Sequence, residues 1–314
     1  MGNVIAVSAN KGGVLKTSLS TNIAGVLSRD LLLEDPSKKI EKDNLLKELS
    51  SLKKSRKNSK KRKRIKEIET NIEEYENEPK ELLRKGKKIL IIDHDNQGNV
   101  ALSFGINPDD YGKTLYNVLV EDMEMKEAIV NVHENIDLVI SNDDMIDFSV
   151  KVLTNIDKYP NYLTLLKEKI DSIKGEYDYV IIDTPPDLGL VISNVFTASD
   201  KILVPFQPET FSMRSLIKTI GTVESFKEMI NPNVEILGIV PTLIDSRTTI
   251  HSDILQECRK YAYENDVKVF DTHIPRSVRF ASSVAYEGKP STLSKQKNDN
   301  AVQSYFELVK ELGL

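Results

Sequence analysis

The chain of 314 residues contains one cysteine, Cys258, and no tryptophan. A single thiol excludes a disulfide framework and any chain-internal cysteine cluster for a metal, so Cys258 reads as a core thiol. No apolar run approaches the roughly 18 residues that span a bilayer. The first residues, MGNVIAV, lack the basic start and small-residue cleavage site of a secretory leader. Position 6 is Ala6 rather than Ser or Thr, which argues against lipidation at Gly2. The expectation from these absences is a cytoplasmic protein that makes no use of a membrane.

Hydrophobic residues make up 39% of the chain, enough for a sizeable core. The net charge of −5 conceals an asymmetry. Residues 38–88 hold nineteen Lys/Arg against ten Asp/Glu, so removing their +9 leaves −14 for everything else. Outside that segment, short runs rich in Val, Ile and Leu recur at 4–8, 89–93, 137–141, 179–183, 202–205, 236–241 and 267–270, with helical patterns between them. Nearly continuous apolar runs suit strands buried on both faces. The fold class expected is α/β, a doubly wound and mostly parallel sheet with helices on both faces. Helices are expected at about 16–29, 161–174, 189–198, 211–230, 250–264 and 298–312, with Asn231-Pro232-Asn233 stopping the fourth.

Residues 30–85 break the alternation. Asp35-Pro36 interrupts the first helical pattern; Leu46, Leu49 and Leu52, then Ile65, Ile68, Ile72 and Tyr75, then recur at three- and four-residue spacing. Two narrow apolar stripes support a pair of helices packed on each other but not a separate core. Between the stripes, nine of the twelve residues 53–64 are Lys or Arg. The segment reads as a basic helical hairpin, or one long helix, inserted into a single domain spanning 1–314; a disordered basic loop is the other description.

Near the start lies Ala9-Asn10-Lys11-Gly12-Gly13-Val14-Leu15-Lys16-Thr17-Ser18, between an expected strand and an expected helix. A phosphate loop needs this context: backbone N–H groups curl around phosphate oxygens, a lysine reaches the β- and γ-phosphates, and a hydroxyl ligates magnesium at a helix N-terminus. The strict G-x-x-x-x-G-K-[ST] pattern fails at both outer glycines, which are Asn10 and Leu15 here. Two further segments add weight. ILIIDHDNQGN (89–99) ends a strand in Asp93 and Asp95, and YDYVIIDTPPDLG (177–189) ends one in Asp183. Carboxylates at the C-terminal ends of parallel strands share an edge of the sheet with the loop after the first strand.

With those residues in view, the chain resembles the ParA-type partition ATPases, in the deviant-Walker group that includes MinD and the nitrogenase iron protein. The family pattern K-G-G-x-G-K-T matches residues 11–17 except at Leu15. D-x-D-x-Q-G-N matches 93–99, with His94 where the family has an aliphatic residue and Asn96 where it has proline; D-x-P-P-x-L-G matches 183–189. VPFQPETFSMRSL, GIVPTLIDSRT and IPRSVRFASSVAYEGKPS fit as well, so the likeness covers about 3–29 and 86–312. A last helix without a basic face sets the chain apart from MinD-like membrane binders, and the cysteine count from iron–sulfur relatives.

The resemblance implies ATP and Mg2+ as cofactors, bound by Lys11, Gly12, Gly13, Val14, Leu15, Lys16, Thr17 and Ser18. It implies Thr17 as a magnesium ligand and Asp183 as one through water. Lys11 would reach the nucleotide of a second copy in an ATP-sandwich homodimer, and Asp95 would orient or activate the attacking water. Phosphoryl transfer needs positioning and charge neutralisation more than covalent help. The implied partners are non-specific DNA, a ParB-type centromere-binding protein and a second copy, in a cytoplasmic, nucleoid-associated setting. Candidate DNA contacts are Arg247, Arg276 and Arg279 at the family's basic positions. The insertion adds Lys60, Lys61, Arg62, Lys63 and Arg64, whose clustered charge is the footprint of phosphate-backbone binding. The reading is a DNA-partition ATPase of low basal turnover; the alternative is a nucleotide-switched structural or regulatory protein with little turnover.

Overall fold

A computed structural model describes residues 2–32, 36–54, 59–77, 82–186, 189–245, 248–294 and 299–314. The chain divides into two compact units, Met1–Arg29 with Lys87–Leu314, and Asp30–Gly86. In chain order its strands are β1 (Asn3–Val7), β2 (Leu31–Leu32), β3 (Leu82–Arg84), β4 (Ile89–Asp93), β5 (Ile129–His133), β6 (Ile136–Val139), β7 (Tyr179–Asp183), β8 (Lys201–Phe206), β9 (Glu235–Ile244) and β10 (Ile274–Pro275).

The larger unit is built on one sheet in the order β10-β9-β8-β1-β7-β4-β6-β5. Every neighbouring pair is parallel except β5 with β6. Successive side chains of a strand point to opposite faces, and here both faces are buried. Val4, Ala6, Leu90, Ile92, Val180 and Ile182 join one core with residues of the Leu190–Ala198 and Ser212–Met229 helices. Ile5, Val7, Ile89, Ile91 and Ile181 join the other, with residues of the Lys16–Leu27 and Asn300–Leu312 helices. The doubly wound α/β architecture expected from the apolar runs is therefore the one observed. Cys258 is fully buried in the first core, where desolvation pushes its thiol up to about 12.

Four details differ from the sequence reading. An antiparallel edge strand, β5, lies where no strand is expected, and the short helices Asn99–Ser103, Leu115–Val120 and Phe148–Leu153 are likewise additions. Residues 267–270 form no strand: only Val269 bridges to Ile239. The Phe270 ring fills the space a side chain would take at Gly238 (φ 150°), and the chain then turns away to set the Asp271 and Thr272 amides on the Glu311 carboxylate, both at 2.9 Å. The sheet edge is completed instead by β10, ahead of an unexpected helix, Val278–Glu287. Finally, the first helix ends at Leu27, and Pro36 opens the next one, a position where its missing N–H and fixed φ are no handicap.

The smaller unit contains the helices Pro36–Lys54 and Ser59–Asn77. Lys53–Glu69 (2.8 Å) and Arg64–Glu48 (2.9 Å) tie them to each other, and Ile68 is fully buried. β2 and β3 form a two-stranded antiparallel ribbon beside them, where the Asp30 carboxylate accepts the Gly86 amide at 2.7 Å.

Candidate nucleotide site

The loop between β1 and the Lys16–Leu27 helix is held from two sides. The Asn10 amide donates to Thr219 Oγ1 (3.1 Å) and Ser215 Oγ donates to the Asn10 carbonyl (2.6 Å), both from the Ser212–Met229 helix. On the other side the Thr242 hydroxyl of β9 donates to the carbonyl of buried Val14 at 3.3 Å. Gly13 (φ 72°) and Leu15 (φ 67°, ψ 29°) are left-handed, so at the position where the family pattern has glycine a leucine holds a conformation that favours glycine. A left-handed non-glycine residue costs on the order of 1–2 kcal/mol. The Leu15 side chain offsets this by packing against the second core. The first bond across this turn is from the Leu19 amide to the Leu15 carbonyl (2.8 Å), which leaves the amides of Lys16, Thr17 and Ser18 unpartnered within the helix, at its positive end.

β1, β7 and β4 are in register at their C-terminal ends, Val7 opposite Asp183 and Asp183 opposite Asp93. The carboxylates consequently converge on the loop. Asp183 accepts from the Thr17 hydroxyl at 2.6 Å and the Ser20 hydroxyl at 2.9 Å. Burial pushes its carboxyl up to about 6, against the pull of those hydroxyls and of Lys16. Asp93 is fully buried, and desolvation with the nearby Asp183 raises it well above the ordinary range. Its oxygens accept the Asp95 (3.0 Å) and Val100 (3.1 Å) amides, so Asp93 shapes the turn that carries Asp95. Gly98, at φ 63°, makes that turn possible: a Cβ there would meet Pro108 and the Ser141 carbonyl at 2.6–2.9 Å. Asp95 receives the Gln97 amide (3.1 Å), and the Asn99 side-chain amide donates to Gln97 Oε1 (3.1 Å), a support role for both residues.

Lys16 Nζ donates to the Lys11 carbonyl at 3.1 Å. Burial lowers its pKa, while Asp183 and Asp95 act the other way, so cation and carboxylates sense one another across the site. Lys11 points elsewhere. Its Nζ lies 2.8 Å from Glu209 Oε2 and 3.0 Å from Ser212 Oγ. Gln207, beside Glu209, donates to the other oxygen of that carboxylate. Glu209 and Ser212 have no assigned role in the sequence reading; the signal was their place just after β8, on the sheet edge that also carries the phosphate loop.

The structure thus brings Lys11, Gly12, Gly13, Val14, Leu15, Lys16, Thr17, Ser18, Asp95 and Asp183 to one sheet edge. The Ser18 hydroxyl shares a 2.8 Å hydrogen bond with Tyr305, so only its backbone faces outward. Amides at a helix N-terminus, a lysine, and a hydroxyl beside a carboxylate form a hard-oxygen set that fits a magnesium nucleotide.

The candidate DNA residues are divided between the two units. Arg247 lies outside the described residues. Arg276 is exposed and acts electrostatically on Glu209. Arg279 is mostly buried, its guanidinium bonded to Glu287 (3.2 Å) and to Ser294. In the smaller unit Lys60, Arg62 and Lys63 are exposed, Lys61 is half-buried, and Arg64 is bonded to Glu48 and Glu67.

A doubly wound sheet with a phosphate-type loop after its first strand and acidic strand ends beside it defines the class of P-loop-type nucleoside triphosphatases. Comparison with known proteins narrows this. Residues 77–236 match the AAA domain family. The chain is 32% identical over 229 residues to the sporulation initiation inhibitor protein Soj of Bacillus subtilis, covering 73% of this chain and 87% of that protein. It is 26% identical to a ParA family protein of Mycoplasma pneumoniae over 98% of this chain and 96% of that one. Among solved structures, an ATP complex of McdA from Cyanothece aligns with a TM-score of 0.71 at 18% identity over 100% of this chain and 97% of that one, a likeness of fold. Cobyrinic acid a,c-diamide synthase of Mycobacterium smegmatis with an ATP analogue and magnesium aligns at 0.69 and 25% identity, over 99% and 93%. The chain belongs to the ParA family of partition ATPases.

Proposed function

We propose that this protein is a DNA-partition ATPase: it binds Mg-ATP, dimerises through the nucleotide, holds DNA without sequence preference, and is released when a ParB-type partner stimulates hydrolysis. The observation that carries the reading is the Thr17 hydroxyl 2.6 Å from Asp183 at the mouth of a loop that also holds Lys16. Mg2+, when bound, would supply charge neutralisation there, and Thr17 and Asp183 would hold it, Asp183 through water. The amides of residues 12–18 orient the phosphates, Lys16 neutralises charge on the transferred group, and Asp95 orients the attacking water. Lys11 completes the neutralisation on the partner's nucleotide, which makes turnover conditional on dimerisation. ATP binding to wild type and Lys16→Ala, followed with a fluorescent ATP analogue, tests the assignment. Binding is expected to vanish in the variant, and undiminished binding would sink the site.

A second reading, a nucleotide-switched structural or regulatory protein with little turnover, draws on Leu15. A leucine held left-handed and packed on the core fixes the loop more firmly than glycine would. Phosphate release per site in the presence of DNA and partner separates the two readings.

A further inference from the structure

The Phe148–Leu153 helix and the turns on either side of it bury Met145, Phe148, Val152 and Tyr159. The opposite side leaves four aliphatic side chains in solvent: Ile146 (62% exposed), Val150 (64%), Leu153 (51%) and Ile156 (46%). Ile146, Val150 and Leu153 follow one another at four- and three-residue spacing, which aligns them on one helical face. Single exposed aliphatics need no explanation, but a row of them within eleven residues does.

The surround is acidic. Asp143, Asp144, Asp147 and Asp157 lie in the same segment, with Lys151 and Lys158 as its only cations. Lys158 sits over the Tyr159 ring, 5.0 Å from its centre, and acts on Asp122. Asp144 and Asp147 converge with Glu121 on the Tyr116 phenol, whose pKa is raised by burial and then by these carboxylates. Among the described residues no ion pair is formed by Glu121, Asp143, Asp144, Asp147 or Asp157.

We propose that this aliphatic face with its acidic rim is a docking surface for a basic amphipathic helical segment of a partner protein, leucine- or isoleucine-bearing on one side and Lys/Arg-bearing on the other. A helix laid along the row would cover its apolar side chains and set its cations against the carboxylates. A second copy of this chain is the poorer occupant, because the same face would bring acidic rim against acidic rim. The position in the fold gives docking a route inward. Phe148, on the buried side of the same helix, meets His94 edge to face with ring centres 5.9 Å apart, and His94 lies between Asp93 and Asp95. A segment docked here rests one aromatic contact from the carboxylate turn.

The docking surface stands or falls independently of nucleotide turnover. Its test is fluorescence anisotropy of the full chain with a labelled leucine–lysine peptide of amphipathic helical spacing, against a scrambled peptide of the same composition and a leucine–glutamate analogue. Wild type is expected to bind the first peptide, with affinity falling as salt rises, and to bind the other two at least tenfold more weakly. Ile146→Ser with Val150→Ser should reduce affinity about tenfold at an unchanged melting temperature, as loss of two partly covered aliphatics predicts. Asp144→Asn with Asp147→Asn, which leaves the apolar row intact, should flatten the salt dependence. Equal binding of the scrambled peptide, or unaltered affinity in both variants, would overturn the proposal. So would a concentration-dependent dimer in light scattering that the serine variant abolishes, since a second copy would then occupy the face.

Discussion

Lys11 Nζ lies 2.8 Å from Glu209 Oε2 in its own chain and 3.0 Å from the Ser212 hydroxyl. A lysine proposed to act on a second copy's nucleotide is thus held in cis by a partly exposed carboxylate. The pair holds Glu209 below the ordinary carboxylate range, and Arg276 adds to that pull.

Removing the acceptor's charge should favour the trans arrangement. An exposed pair of this kind is worth about 1 kcal/mol or less, so Glu209→Gln is expected to shift the protein concentration for ATP-dependent dimerisation down by a few-fold. Lys11→Ala should keep nucleotide affinity and fail to dimerise. Light scattering with a slowly hydrolysed ATP analogue reads both. If Lys11→Ala dimerises as wild type does, the lysine has no trans role.

Leu15 sets two terms against each other. Replacing it with glycine relieves a left-handed residue but removes side-chain packing on the second core and loosens the unfolded chain; each contribution is about 1 kcal/mol. Leu15→Gly is therefore expected to leave the melting temperature within a few degrees while raising kcat for phosphate release. An unchanged kcat would mean that the leucine does not restrain turnover.

His94 makes stability depend on pH. Among the described residues neither ring nitrogen has a hydrogen-bond partner, and burial lowers its pKa from 6.5 to about 4. As pH falls below 6.5 the unfolded chain takes up a proton that the folded imidazole refuses, so stability is lost from about 6.5 down toward 4. Between pH 7.5 and 5.5 this amounts to about 1 kcal/mol. The raised carboxyls Asp93 and Asp183 act in the opposite direction, because the folded state binds their protons more readily. Comparing His94→Leu with wild type by urea unfolding at both pH values removes that background. The variant should lose about 1 kcal/mol less on acidification, and equal losses would place the imidazole in contact with water.

How far the sequence speaks depends on how each element is stabilised. β1, β4, β7 and β8 are legible because burial on both faces demands unbroken Val/Ile/Leu runs, and the phosphate loop because its backbone path demands small residues and a following helix. β5 is half-exposed along its length, which dilutes the apolar signal. The helices Leu115–Val120 and Phe148–Leu153 are six residues each, under two turns, too short for a periodicity to emerge. Residues 267–270 have the composition of a strand, but their path is set by Gly238 and Glu311, distant partners that no local pattern records. The cis pairing of Lys11 with Glu209 spans 198 positions and is equally silent in the sequence.

The insertion offers the sharpest test of how DNA is held. The rest of the chain carries −14, so electrostatic attraction to a phosphate backbone has to come from concentrated positive charge. Arg279 is bonded to Glu287 and Ser294, and Arg64 to Glu48 and Glu67, so both are committed within the fold. Lys60, Arg62 and Lys63 are exposed at the start of the Ser59–Asn77 helix and can meet phosphates without breaking those bonds. Each phosphate contact releases condensed counterions and contributes about 0.9 to the slope of log affinity against log salt on duplex DNA. Replacing Lys60, Arg62 and Lys63 together by Gln should weaken binding to unrelated duplexes by similar factors and flatten that slope by up to about 0.9 per lost contact, with ATP affinity unchanged. Arg64→Gln should instead lower the stability of the helix pair with a smaller change in slope. Affinity measured against salt in the presence of ATP distinguishes them, and an unchanged slope in the triple variant would move the DNA contact to Arg247 and Arg276.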